Sequence, residues 1–160
     1  LQVGGSESEN CFMGFGLFFA LWIVIVAKFS DIGALLIGKA IGRTKMAPSI
    51  SPGKTIEGLI GGFAASAGMG ALLPWIFQEK LTGIVYFGDW IFTPSQGALW
   101  GLLLALSAVI GDLIASVLKR LASMKDSGGT IPGIGGLFDL TDSLILAAPT
   151  GYFILFFLQK

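Results

Sequence analysis

Long apolar runs separated by short polar segments organise the chain. They cover Phe12–Phe29, about Ile56–Phe77, about Gly97–Leu118 and about Leu137–Leu158. Each is close to the roughly 20 residues that carry a helix across the hydrocarbon of a bilayer. A shorter apolar run, Ile32–Ile41, follows the first directly. It is too short to span upright and is expected to form a re-entrant or interfacial helix, whose backbone needs protein or a water-filled cavity around it. Leu1–Asn10 is polar, contains Glu7 and Glu9, and has no charged n-region of a signal peptide. The expected organisation is a flexible polar tail over residues 1–11 and a membrane domain over 12–160. The expected fold class is an all-α integral membrane protein, a polytopic transmembrane helix bundle with one short re-entrant or interfacial helix.

Composition supports the membrane assignment. Of 160 residues, 54% are hydrophobic and 12% charged, and the mean hydropathy is +0.82. Soluble domains carry about 25% charged residues, so soluble-enzyme folds are largely excluded. Ten basic and ten acidic residues balance, which argues against electrostatic capture of nucleic acid. The single cysteine, Cys11, excludes an internal disulfide and a Cys-based zinc cage. With no histidine, Ser-His-Asp triads and HExxH metalloprotease sites are also excluded.

The charges set an orientation. Lys39, Arg43, Lys45 and Lys54 separate the first and second long runs, and Lys119, Arg120 and Lys125 separate the third and fourth. The intervening segment, residues 78–96, holds only Lys80 against Glu79 and Asp89. The positive-inside rule places the two basic loops in the cytoplasm and both chain ends outside. Trp75, Trp90 and Trp100 then fall near the outer boundary, as an aromatic belt does. Dense glycine and alanine in the second run indicate close helix packing and make a homodimer the default expectation.

Chemistry concentrates on the cytoplasmic side. Asp112 lies well inside the third run, Asp139 and Asp142 near the start of the fourth, and Asp31 at the end of the first. A carboxylate at the centre of a membrane helix costs about 2.5–3.5 kcal/mol on insertion scales and is rarely incidental; a structural ion pair with Lys or Arg is the plain alternative. Asp139 and Asp142, three apart, share a helix face, and Asp112, Ser116 and Lys119 form another stripe. With Asp126 in the connecting loop, these oxygens suit a hard cation such as Mg²⁺. The glycine-rich segment 125–136 is suited to a backbone anion nest, with Lys119, Arg120 and Lys125 adding positive charge. Gly53-Lys54-Thr55 resembles the end of a P-loop but fails that test, because Pro48 stands where the motif needs glycine. Ser51, Lys54 and Thr55 nonetheless precede a helix N-terminus, which favours an anion. Glu57 reads as a first-turn match to the helix dipole or as a partner of a site residue.

These residues closely resemble the phosphatidate cytidylyltransferase (CDP-diacylglycerol synthase) family. The similarity runs through Ser116-Val-Leu-Lys119-Arg120, Lys125-Asp126-Ser-Gly128, Pro132-Gly133-Ile134-Gly135-Gly136 and Asp139-Leu140-Thr141-Asp142-Ser143. Upstream, Asp31-Ile-Gly-Ala, Gly38-Lys39, Gly42 and Ser51-Pro-Gly-Lys54-Thr55-Ile-Glu57-Gly58 also fit. Ile134 and Leu140 stand where the family usually has His and Arg. Family members are usually longer, so the chain reads as the conserved C-terminal part. The resemblance implies an enzyme of phospholipid biosynthesis in a bacterial inner membrane, with its site on the cytoplasmic face. It would transfer the cytidylyl group of CTP to phosphatidic acid, using Mg²⁺ and a second cation at most. It implies a catalytic set of Asp112, Asp139, Asp142 and Lys119, and metal ligands Asp112, Asp126, Asp139 and Asp142. Ser51, Lys54, Thr55, Lys119, Arg120 and Lys125 would bind phosphates, and membrane lipids would supply the acceptor. A CTP-using lipid kinase, an isoprenoid-lipid cytidylyltransferase and, in a different class, a cation channel or transporter are the alternatives.

Overall fold

The computed structural model describes residues 4–48, 51–80, 86–87, 90–121 and 142–158. Helix α1 spans Gly4–Ile41, α2 spans Ile56–Lys80, α3 spans Pro94–Leu121 and α4 spans Leu144–Leu158. Two antiparallel hairpins connect them. Strands β1 (Lys45–Ala47) and β2 (Ser51–Thr55) lie between α1 and α2, and β3 (Tyr86–Phe87) and β4 (Trp90–Ile91) between α2 and α3. Among the described residues, Gly16–Ile41, Ile56–Phe77 and Pro94–Leu121 are long and apolar enough to cross a membrane, and Leu144–Phe157 is a shorter apolar helix. The protein is an integral membrane helix bundle, as expected.

The expected separate helix over Ile32–Ile41 is corrected. Those residues are the C-terminal part of α1, a single 38-residue helix about 57 Å long at 1.5 Å per residue. Lys28 and Asp31 interrupt the apolar run without breaking the helix. They lie one turn apart and pair with each other, Nζ to Oδ2 3.5 Å, so the backbone ladder continues past them. The helix also begins at Gly4, within the polar stretch that reads from sequence as a flexible tail.

The bundle packs through small residues. On α2 the buried positions Gly58, Gly62, Ser66, Gly70 and Pro74 recur every fourth residue and form one stripe. On α3 the facing stripe contains Gly97, Gly101, Ala105 and Ala108. At the crossing, a Cβ on Gly70 would collide with the Gly97 carbonyl, and one on Gly97 with the Gly70 carbonyl. Ser66 Oγ donates to the Gly101 carbonyl at 2.6 Å, adding a polar clasp. An aromatic core of Phe19, Trp22 and Phe92 packs beside this crossing, with Trp22 and Phe92 edge to face at 5.1 Å between centroids. Large apolar side chains such as Leu17, Leu21 and Leu99 point outward, which in a bilayer is the lipid-facing surface.

Pro74 has no N–H, so it removes the helix partner of the Gly70 carbonyl four residues earlier. The buried Trp22 Nε1 donates to that carbonyl at 3.1 Å and fastens α1 to α2. Trp22→Phe leaves the carbonyl bare and also trims a fully buried ring system, so a packing loss adds to that of the hydrogen bond. The expected loss is about 1–3 kcal/mol, read as a lower melting temperature of the detergent-solubilised protein. An unchanged melt would contradict the assignment.

Both helices that follow a hairpin are capped by their own sequence. Thr93-Pro94-Ser95-Gln96 opens α3 as a reciprocal box: Thr93 N donates to Gln96 Oε1 at 3.0 Å, and Gln96 N to Thr93 Oγ1 at 3.4 Å. At α2, Gly58 N donates to Thr55 Oγ1 at 3.1 Å. Glu57 accepts from Thr44 N at 3.1 and 3.2 Å, while Ile56 N donates to the Thr44 carbonyl at 3.0 Å. Glu57 therefore ties the end of α1 to the start of α2 and holds the β1–β2 hairpin against the bundle.

Candidate active site

The β1–β2 hairpin closes one side of a cavity of about 420 Å³. Helix α1 contributes Ser30, Asp31, Ala34 and Leu35, and the hairpin Met46, Ser51, Gly53, Lys54 and Thr55. Gly58, Leu59 and Gly62 come from α2, Val109 and Asp112 from α3, and Asp142 from the turn ahead of α4. Carboxylates, an ammonium and hydroxyls thus share the space with aliphatic side chains. Such a cavity is suited to a ligand with a charged head and an apolar body.

Among the described residues, three lysine–aspartate pairs organise the charge, and together they are neutral. Lys54 of β2 pairs with Asp112 of α3. Lys119, two turns further along α3, lies 3.5 Å from Asp142 Oδ2. Lys28 lies 3.5 Å from Asp31 on α1 and donates to Ser143 Oγ at 2.9 Å. Asp142 Oδ1 accepts from Ser143 N at 2.7 Å. Burial, and then the nearby Asp112 carboxylate, raise the pKa of Asp142, while the Ser143 N–H and Lys119 pull it down. Lys54 Nζ is enclosed and, among the described residues, makes no hydrogen bond of good geometry beside its ion pair. It therefore retains donor capacity for an anion in the cavity.

Of the residues singled out from sequence, Ser51, Lys54, Thr55, Asp112 and Asp142 line this one cavity, and Lys119 reaches it through Asp142. Thr55 also caps α2, which anchors its hydroxyl. Arg120 is exposed in the last turn of α3. Lys125, Asp126, Asp139 and the glycine-rich segment lie outside the described residues. Sequence reasoning gave Asp31 only a secondary place and passed over Lys28 and Ser143. The available signal was a lysine one turn before an aspartate inside an apolar run, a pair of charges that demands an internal partner.

The donor set fits Mg²⁺. Asp112 and Asp142 are neighbouring carboxylates on one cavity, a pair of oxygen donors that could hold such an ion, and the described residues contain no group of three or more His, Cys, Asp or Glu that could hold a metal. Mg²⁺ is commonly held by one or two carboxylates, with substrate phosphates and water completing its shell.

The fold and the site define an integral membrane protein with a charged, amphipathic cavity set among its helices. Comparison with known proteins specifies this further: the chain belongs to the cytidylyltransferase family, whose profile matches residues 9–158. It is 42% identical over 124 residues to a phosphatidate cytidylyltransferase of Synechocystis sp., covering 78% of this chain and 38% of that protein. It is 34% identical over 157 residues to the Helicobacter pylori phosphatidate cytidylyltransferase, covering 98% of this chain and 54% of the relative. The chain thus spans about half the length, or less, of these curated relatives. A solved structure, described as an intramembrane enzyme for archaeal membrane lipids biosynthesis, shares the fold with a TM-score of 0.58. Identity there is 23%, covering 84% of this chain and 77% of that one.

Proposed function

We propose that this cavity serves cytidylyl transfer from CTP to phosphatidic acid, giving CDP-diacylglycerol and pyrophosphate. The observation that carries the reading is the sharing of one amphipathic cavity by Lys54, Asp112 and Asp142, in a chain whose family and named relatives are cytidylyltransferases. An oxygen of the lipid phosphate attacks the α-phosphorus of CTP. The bond from that phosphorus to the β-phosphate bridge breaks, and pyrophosphate leaves with the electron pair. A phosphate monoester has its second pKa near 6, so the nucleophile is mostly dianionic at neutral pH. No histidine base is required.

The difficulty is electrostatic, because two anions must meet. Lys54 exchanges Asp112 for a phosphate oxygen, and Lys119 exchanges Asp142. The same exchange frees two carboxylates to hold Mg²⁺, with Asp126 and Asp139 as further ligands and Arg120 and Lys125 as further phosphate contacts. The metal, when bound, neutralises phosphate charge and favours in-line attack. Ser51 and the hairpin backbone cover the phosphates. The aliphatic side of the cavity, at Leu35, Leu59 and Val109, receives the glycerol end of the lipid. The basic residues around the hairpin and the end of α3 support a cytoplasmic position for this end by the positive-inside rule, and the bacterial relatives support an inner-membrane location.

The test is pyrophosphate release by protein reconstituted in lipid nanodiscs. The reading expects release only when CTP, phosphatidic acid and Mg²⁺ are all present. Release of CDP instead, with a lipid alcohol as acceptor, would make the protein a kinase and overturn it.

A further inference from the structure

Between residues 16 and 38, α1 carries two charged residues, Lys28 and Asp31. Lys28 is not among the described residues that line the cavity, although its partner Asp31 is. Its ammonium instead reaches across to the start of α4 and donates to Ser143 Oγ at 2.9 Å. Ser143 is fully buried. Its backbone N–H donates to Asp142 Oδ1 at 2.7 Å, and its hydroxyl lies near the Asp31 carboxylate.

A serine at this position, just ahead of a helix, ordinarily turns its hydroxyl onto that helix's first free N–H groups. The Ser143 hydroxyl is engaged by α1 instead: it accepts from Lys28. Lys28 thereby links α1 to the residue whose N–H holds Asp142. Asp142 has its two oxygens held from different elements, Oδ2 by Lys119 at 3.5 Å and Oδ1 by the Ser143 N–H. The second holder is the residue that Lys28 bonds.

We propose that Lys28 is a positioning residue for Asp142, acting through Ser143 to fix the direction of that carboxylate into the cavity. The proposal rests on the reading above that Asp142 serves the reaction. It differs from the plain alternative that Lys28 only neutralises Asp31, because it routes the effect through Ser143.

The test uses the full chain in lipid nanodiscs and two readouts: steady-state kinetics of CDP-lipid formation, and Mn²⁺ affinity by electron paramagnetic resonance in the absence of CTP. Residues that orient a metal-holding group typically change activity or metal affinity by about 10–100-fold. Lys28→Met is expected to lower kcat and Mn²⁺ affinity by about that factor, with the KM for CTP nearly constant. Lys28→Arg, which keeps charge and donors, recovers most of the loss. Ser143→Ala breaks the same link from its other end. It reproduces the effect, and the double variant loses no more than either single one. Ser143→Ala also carries the test if Lys28→Met fails to fold.

Wild-type kcat and Mn²⁺ affinity in Lys28→Met would overturn the proposal. So would full recovery in Lys28→Met/Asp31→Asn, because charge neutralisation would then be the whole role. Wild-type protein that binds Mn²⁺ but forms no CDP-lipid would overturn the proposed activity alone, with the Mn²⁺ affinities of the variants still deciding the role of Lys28.

Discussion

Asp142→Asn is expected to lower cytidylyl transfer by about 10³-fold or more while changing the melting temperature little. Asparagine keeps the size of the side chain, and its carbonyl oxygen still accepts from the Ser143 N–H, now 2.7 Å from Oδ1. What is lost is the negative charge between Lys119 and the cavity. Burial and Asp112 raise the pKa of Asp142 in the folded protein. A carboxyl with a higher pKa folded than unfolded destabilises the fold once the pH exceeds both values. That net direction already includes the attraction of Lys119, so removing the charge at neutral pH is not expected to destabilise the fold. Parallel measurement of kcat/KM and thermal denaturation checks both halves. Wild-type turnover would remove Asp142 from the site, and a collapsed melt would give it a structural role instead.

Lys54→Met has the second large expected effect, and its sign is informative. Lys54 and Asp112 pair across the cavity. A site filled by its own ion pairs accepts an isolated anion or cation only by leaving one charge unmatched in a poorly solvated space. Metal and triphosphate entering together let every pair exchange partners at constant net charge. CTP and Mg²⁺ are therefore expected to strengthen each other's binding, with reciprocal coupling. Methionine at position 54 removes a phosphate partner and releases Asp112. CTP affinity should fall by about 10²-fold, while Mn²⁺ affinity without CTP should rise. Calorimetric titration of each ligand separates the two. A parallel fall in both affinities would contradict the exchange of partners.

The membrane spans were legible in the sequence because hydrocarbon leaves a helix few alternatives, so an apolar run of sufficient length nearly defines the element. The continuity of α1 was not. Lys28 and Asp31 end the hydropathy run, but they satisfy each other within one turn, and hydropathy does not register a pair. The start of α3 was written in Thr93-Pro94-Ser95-Gln96, a capping signature that a count of apolar residues overlooks. The short β1–β2 hairpin has no alternating pattern, and it is held by tertiary contacts such as that from Glu57 to Thr44 N. At the site, spacing along single helices drew attention to Asp112, Lys119 and Asp142; Asp112 and Asp142 line one cavity, but Asp142 lies in the turn ahead of α4 and not on a helix face. Which lysine faces which carboxylate depends on the packing of different elements. Nothing local joins Lys54 to Asp112 or Lys28 to Ser143.

The most direct measurement is transfer of label from α-labelled CTP into the organic phase, with phosphatidic acid and Mg²⁺, by nanodisc-embedded wild-type protein and Asp142→Asn side by side. The account predicts label in CDP-diacylglycerol for the wild type, dependent on both additions, and background label for the variant. Equal labelling by the two proteins, or none from folded wild type, would contradict it.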